Sequence, residues 1–222
     1  MSIRDKVNIN CPKCGYSIEV SQWSSLNGEK NPAEKKKLLE GTLFTVKCKR
    51  CGHTARVGYP LLYNDPSQNI MIWLVYDNDE VKHVTDYFKS SKNKDGDDKV
   101  SRECRQRIVR DEFRLREKIM IFDSGLDDKI VEIAKLAFSQ NVQKQNPKAK
   151  IAAAFFSNEG GEDHIEIFSA DGSAFTVKLT EDIYKTLDDT YSGKASFAED
   201  RVYSIDDVWA LNLLREYNGE HR

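Results

Sequence analysis

Two short loops of one pattern, CPKCG at residues 11–15 and CKRCG at residues 48–52, hold four of the five cysteines. A C-x-x-C turn delivers two sulfurs from one tight loop, and two such turns supply the four soft ligands that a tetrahedral zinc ion takes at about 2.3 Å. Cys11, Cys14, Cys48 and Cys51 are therefore read as the ligands of a single zinc. The glycine that follows each pair suits a knuckle whose backbone takes a positive φ while its amides turn toward the thiolates. Four thiolates leave the ion no position for water or substrate, so metal-assisted hydrolysis is disfavoured and the metal is read as a fastener.

The sharpest rival is redox catalysis, because C-P-x-C also occurs where a cysteine is activated at a helix N-terminus. Here strand alternation follows CPKCG, no amphipathic helix does, and no βαβ pattern precedes it, so the redox reading is set aside. His53, just past the second loop, is an alternative ligand, although four sulfurs are already suitably placed. Cys104 falls on an apolar helical stripe and is read as a small core residue.

The knuckles need elements to bring them together. Between them YSIEVSQW alternates as a strand, NPAEKKKLLEG is a short helix from Asn31 and Pro32 to Gly41, and TLFTVKCKR is a second strand. HTARVGYPLLY leaves the second knuckle as a third strand, NDPSQN is a turn, and residues 70–76 form the most buried strand. The polar stretch at residues 90–99 is a candidate linker. Val100, Cys104, Ile108, Leu115 and Ile119 share one helical arc that ends at Gly125, and Asp127 opens a second helix, which makes a helical hairpin. After a boundary at residues 143–150 come three strand-like runs, the last two joined by Asp171-Gly172. Thr180 caps a helix, and Ser204 with Asp207 resembles a capping box opening another. Asp127 and Asp128 are read as capping and dipole-stabilising residues rather than paired catalytic acids.

The expected architecture is α+β. It has a zinc-ribbon-like, β-rich N-terminal segment over residues 1–89, a helical hairpin over 100–142 packing on it, and an acidic C-terminal unit of β-hairpin and helices over 150–222. The knuckles, together with PLLYNDPSQNIMIW at residues 60–73 and LREKIMIFDSGLDDKIVEI at residues 115–133, resemble the bacterial and archaeal CpXC domain over roughly residues 9–140. The resemblance implies that the same four cysteines are metal ligands in a zinc-ribbon-like element, and it carries no assigned activity.

Composition bounds the role. At 222 residues with 32% charged side chains the chain can bury a real core beneath a heavily charged surface. Its longest apolar runs are far short of the roughly 20 residues of a transmembrane helix, so no membrane association is expected. Without a secretory signal at the N-terminus the expected location is cytoplasmic, where paired C-x-x-C loops favour metal over disulfides. Residues 1–150 carry net charge +7 and residues 151–222 net −9. Lys47, Lys49, Arg50 and Arg56 surround the second knuckle, with Tyr59 and Tyr63 following, so the knuckle is a candidate partner-binding face. The arginines at 102, 105, 107, 110, 114 and 116 read as solvated flanks of the helical stripe. There is no Gly-rich phosphate loop, nucleophile elbow or H-E-x-x-H. The reading is a non-enzymatic, zinc-stabilised module that binds a protein partner. Nucleic-acid binding through the basic knuckle, and an enzyme whose site is assembled from distant residues, are the alternatives.

Overall fold

The computed structural model describes residues 2–92, 104–194, 197, 203–217 and 219. The chain divides between Arg116 and Glu117 into two compact units. The first unit runs β1 (Ile3–Asn10), β2 (Ser17–Asn27), α1 (Pro32–Leu39), β3 (Thr45–Lys47), β4 (Thr54–Arg56), β5 (Leu61–Asp65), a 3-10 turn (Pro66–Gln68), β6 (Ile70–Leu74), α2 (Asn78–Lys92) and β7 (Arg105–Val109). Five of the strands form one sheet in the order β1-β2-β5-β6-β7, and β3 pairs with β4 in a separate ribbon.

Burial in β5 and β6 alternates in phase. Leu61 stands opposite Leu74, Tyr63 opposite Ile72 and Asp65 opposite Ile70, and all six are buried. A two-residue side-chain period with one face on the core fixes that register, since a slip of one residue would turn the three buried side chains of the slipped strand outward. Buried Asp65 is satisfied by Ser67, whose hydroxyl donates to it at 2.6 Å, and by Lys35 at 3.5 Å. At the end of β2, Gly28 lies against the Tyr63 ring, where an added Cβ would meet the hydroxyl oxygen at 2.1 Å. Gly28→Ala is expected to destabilise the protein by about 2 kcal/mol through overpacking. Urea denaturation would show a lowered midpoint at unchanged slope.

Three expectations in this unit are corrected. The third strand, HTARVGYPLLY, is two: β4 stays with β3, whereas β5 joins the large sheet, and Pro60, which has no N–H for a ladder, stands at the break. The linker at residues 90–99 begins inside α2, which runs to Lys92, and residues 93–99 lie outside the described residues. The helix expected from Val100 is a strand at Arg105–Val109, paired in parallel with β6. Cys104 accordingly precedes a strand, half-buried, and is on no helical stripe. A parallel pair needs a crossover, and α2 supplies helix between β6 and β7. The true helix start is Asp111, whose carboxylate accepts the Arg114 N–H at 2.8 Å. Helix α3 (Glu112–Asp123) follows, and the division of the chain falls within it.

The second unit adds α4 (Asp128–Gln145), a three-stranded antiparallel sheet of β8 (Ile151–Glu159), β9 (Glu162–Ser169) and β10 (Ala174–Lys178), then α5 (Glu181–Tyr191) and α6 (Asp207–Tyr217). Helix α4 is buried on two faces. Val131 and Ala134 pack with Phe156, Ile165 and Ile167 of the sheet, and Ile130 and Ile133 pack with Ala210 and Leu213 of α6. The cap expected at Asp127 is present, accepting the Lys129 N–H at 2.8 Å, and so is the one at Thr180, accepting from Ile183 at 3.4 Å. The capping box read from Ser204 is corrected: Asp206, next to the first helical residue, accepts the Trp209 N–H at 2.9 Å. Asp128 departs further from expectation, because it is fully buried and does not cap. Lys118 Nζ lies 3.0 Å from both Asp128 Oδ2 and Glu132 Oε1, and Lys135 Nζ lies 2.9 Å from Glu117 Oε1 and 3.0 Å from Glu132 Oε2. Glu117 Oε1 also accepts the Phe156 N–H at 2.7 Å. No described helix is long and apolar enough to cross a membrane.

Candidate metal centre

Each cysteine loop is the turn of an antiparallel hairpin. Asn10 pairs with Ser17 at the end of β1 and β2, and Lys47 pairs with Thr54 at the end of β3 and β4, which leaves six residues in each turn. The two turns repeat one hydrogen-bond pattern. The Cys11 N–H donates to the Tyr16 carbonyl at 2.9 Å and the Gly15 N–H to the Cys11 carbonyl at 2.9 Å. Likewise the Cys48 N–H donates to the His53 carbonyl at 2.8 Å and the Gly52 N–H to the Cys48 carbonyl at 2.9 Å. Gly15 and Gly52 have φ of 67° and 70°, a left-handed conformation that costs a residue with a Cβ roughly 1 kcal/mol or more. That conformation folds each loop back on itself and sets its two sulfurs on one side.

The loops bring Cys11, Cys14, Cys48 and Cys51 together, with all four sulfurs within 4.8 Å of one another. Cys11 Sγ to Cys51 Sγ and Cys14 Sγ to Cys48 Sγ are each 3.7 Å. A disulfide would need about 2.05 Å, and the cysteines are free thiols. Sulfurs 2.3 Å from a common centre at tetrahedral corners stand about 3.8 Å apart. The donor set and its spacing thus fit a tetrahedral tetrathiolate ion, and these four residues could hold one.

The electrostatics of the loops are uneven. At Cys48, burial raises the thiol, but the amides of Cys51 and Arg50 and the thiols of Cys11 and Cys14 outweigh it and bring the group to about 7. At Cys14, the backbone hydrogen bond at Tyr16 lowers the thiol, yet burial and the three neighbouring sulfurs push it up to about 12. Four thiols packed this closely cannot all ionise unless a cation joins them. The apolar support is thin: among the described residues, Ile18 is the one buried hydrophobic residue that packs with Cys11 and Cys48, beside partly buried Ile9, Val20 and Val46.

His53 contributes its backbone carbonyl to the second loop and is outside the sulfur cluster. Lys47, Lys49 and Arg50 are exposed around that loop. Arg56 is engaged elsewhere, paired with Glu112 and lying 5.2 Å over the Phe113 ring. Tyr59 and Tyr63 are buried and offer no ring for stacking. Among the six arginines, Arg107 is buried, Arg110 donates to the Asp77 carbonyl at 3.2 Å, Arg114 pairs with Asp111 at 3.5 Å, and Arg102 lies outside the described residues. Sequence reasoning missed the carbonyls of Tyr16 and His53 that close the loops, since backbone acceptors leave no mark in residue type. The comparison with protein families matches residues 9–135, more than half of the 222, to the family described as CpXC protein. Comparison with curated proteins and comparison with solved structures each returned no match.

Proposed function

Because the chain belongs to the CpXC protein family, we propose that it is a non-enzymatic binding module in which zinc held by Cys11, Cys14, Cys48 and Cys51 fastens two hairpin tips into a platform for a protein partner. The observation that supports this reading is the all-sulfur cluster, which leaves a bound ion no open position for chemistry. Zinc is the ion favoured by a closed set of four soft donors. Lys47, Lys49 and Arg50, exposed beside the second tip, supply positive charge for an acidic face on the partner and steer its approach.

Nucleic acid is the second reading, favoured by the same three exposed cations. The two are separated by salt dependence. Three cations that meet phosphates give a slope of log affinity against log salt of about −2 on a single strand, at roughly 0.7 per contact. With a mixed-sequence single-stranded oligonucleotide as probe, the expected result is weak binding with a slope shallower than that. Tight binding with a slope of about −2 or steeper, lost in a Lys49→Glu/Arg50→Glu variant, would replace the protein reading with the nucleic-acid one. Turnover of a substrate abolished by one polar substitution away from the cysteines would overturn both.

A further inference from the structure

The first unit carries a cleft of about 160 Å³ at the base of the β3–β4 ribbon, away from its cysteine tip. Buried Leu38 of α1 and buried Phe44 supply its apolar floor. Arg56 enters from β4, and Glu112, Phe113 and Arg116 enter from the start of α3. Phe113 is 56% exposed, an unusual state for a large aromatic ring, and stands at the mouth. The volume matches one small hydrophobic group, since an apolar cavity of about 150 Å³ admits benzene.

The charged groups lining the cleft are two acids and two bases, but they do not pair with one another throughout. Glu112 is taken by Arg56 and also accepts the Tyr76 hydroxyl at 3.5 Å, while Glu40 sits 3.8 Å from Lys36. Arg116 has no ion-pair partner among the described residues. Its Nε is shielded from solvent and has no hydrogen-bond acceptor. A guanidinium N–H left unmade in that way is costly, and because Arg116 lines the cleft, a turn of its side chain toward a bound acceptor would make that bond. Across the cleft, Arg116 Nη1 reaches the turn after α1, where a Cβ on Gly41 would stand 3.7 Å from it. Glu112 is held by Arg56 and Glu40 by Lys36, so both cleft carboxylates are engaged and the Arg116 guanidinium keeps its capacity for an outside anion.

We propose that this cleft binds a carboxylate carried on a small branched or aromatic group, with Arg116 receiving the carboxylate and Leu38, Phe44 and Phe113 enclosing the apolar body. Guanidinium and carboxylate match as a planar, two-pronged pair, and the size of the cleft limits the body to about a leucine side chain. Two sources carry this chemistry, a free short-chain acid and the C-terminal residue of a peptide. The site is independent of any partner at the cysteine tips, and its test reads a different surface.

The test is calorimetry on the full chain with four probes: 4-methylpentanoate, its primary amide, a hexapeptide ending in leucine with a free carboxylate, and the same peptide amidated. At least one acid is expected to bind on the order of tenfold tighter than its amide, with a shift of the Arg116 Nε–Hε resonance. Binding of the free acid alone would identify a small-molecule site, and binding of the peptide acid would identify terminus recognition. Arg116→Gln is expected to weaken the acid on the order of tenfold and leave the amide unchanged, with Arg116→Lys between. Equal binding of acid and amide, unaltered affinity in Arg116→Gln, or no binding of either acid overturns the proposal. The acid-to-amide comparison uses the unaltered protein, so it stands even if a variant folds poorly.

Discussion

Replacing Cys48 with serine is expected to strip the metal and unravel the two cysteine hairpins, a loss on the order of 10 kcal/mol of apparent folding free energy. The size of the effect follows from how little else holds these hairpins. Strands β3 and β4 have three residues each, and a two-stranded ribbon of that length is marginal in water on its own. The apolar cluster beside the sulfurs has one buried hydrophobic residue besides cysteine, Ile18, and burying one such side chain contributes only about 2 kcal/mol. The ion also resolves a charge problem that the polypeptide cannot, since it lets four adjacent thiols ionise together. Elemental analysis of protein purified without added metal should give one zinc per chain, and none for Cys48→Ser. A chelator should abolish amide protection in residues 11–16 and 45–56, the two loops and the β3–β4 ribbon, and lower the thermal midpoint of the unaltered protein to that of the variant. Metal-free protein that melts where the loaded protein does would refute the fastener role.

The four-cysteine cluster was legible because its signal is local. Ligand type, spacing and the following glycine sit within five residues, and the hairpin that presents them needs no long-range information. The same holds for Asp127, Thr180 and the Asp171-Gly172 turn, each of which acts on its immediate neighbours. What stayed hidden depends on partners distant in the chain. Strand β7 reads RQRIV, and its Ile108 fits a helical wheel as well as a strand; only the parallel ladder with β6 decides the matter. Strand β1 is an edge strand with mostly exposed side chains, so the alternation of Val7 and Ile9 is diluted by charge. Helix α2 did carry a readable start: the Glu80 N–H donates to Asp77 at 2.7 Å while Glu80 accepts from the Tyr76 N–H at 2.8 Å. A cap of Asp followed three residues later by Glu is a usable signal, overlooked beside the strong strand that precedes it.

The buried charges of the second unit give the other large effect. Lys118→Met is expected to cost about 3–5 kcal/mol, because it removes the ammonium that lies 3.0 Å from both Asp128 and Glu132 and leaves Lys135 as the one ammonium of this cluster, facing three buried carboxyls. Asp128→Asn should fall in the same range, whereas Glu117→Gln should cost much less. The asymmetry comes from Glu117 being the carboxyl whose charge the interior opposes, while Asp128 is held directly by the Lys118 ammonium. With every group ionised, Glu117, Asp128 and Glu132 face Lys118 and Lys135 in this cluster, three carboxylates to two ammoniums. Burial, with Glu132 adding to it against the pull of Lys135, raises the Glu117 carboxyl above its ordinary 4.5. The Lys118 ammonium is opposed by burial, but Asp128, Glu132 and Glu117 more than compensate and hold it above 10.5. The sign follows for both groups. A carboxyl with a raised folded value binds more protons folded than unfolded above 4.5, so its contribution is whole below that pH and is lost as pH climbs through the folded value. Lys118 contributes fully below 10.5 and loses its contribution as pH rises through its own folded value. Both push the stability of this unit downward as pH increases. Urea denaturation followed across pH by hydrogen exchange in α4 should show that fall, and Glu117→Gln should flatten its lower part while leaving the alkaline part due to Lys118. A stability that rises with pH from 5 to 8 in the unaltered protein, and stays unchanged in Glu117→Gln, would mean that Glu117 is ionised throughout and that the excess charge is met by another group.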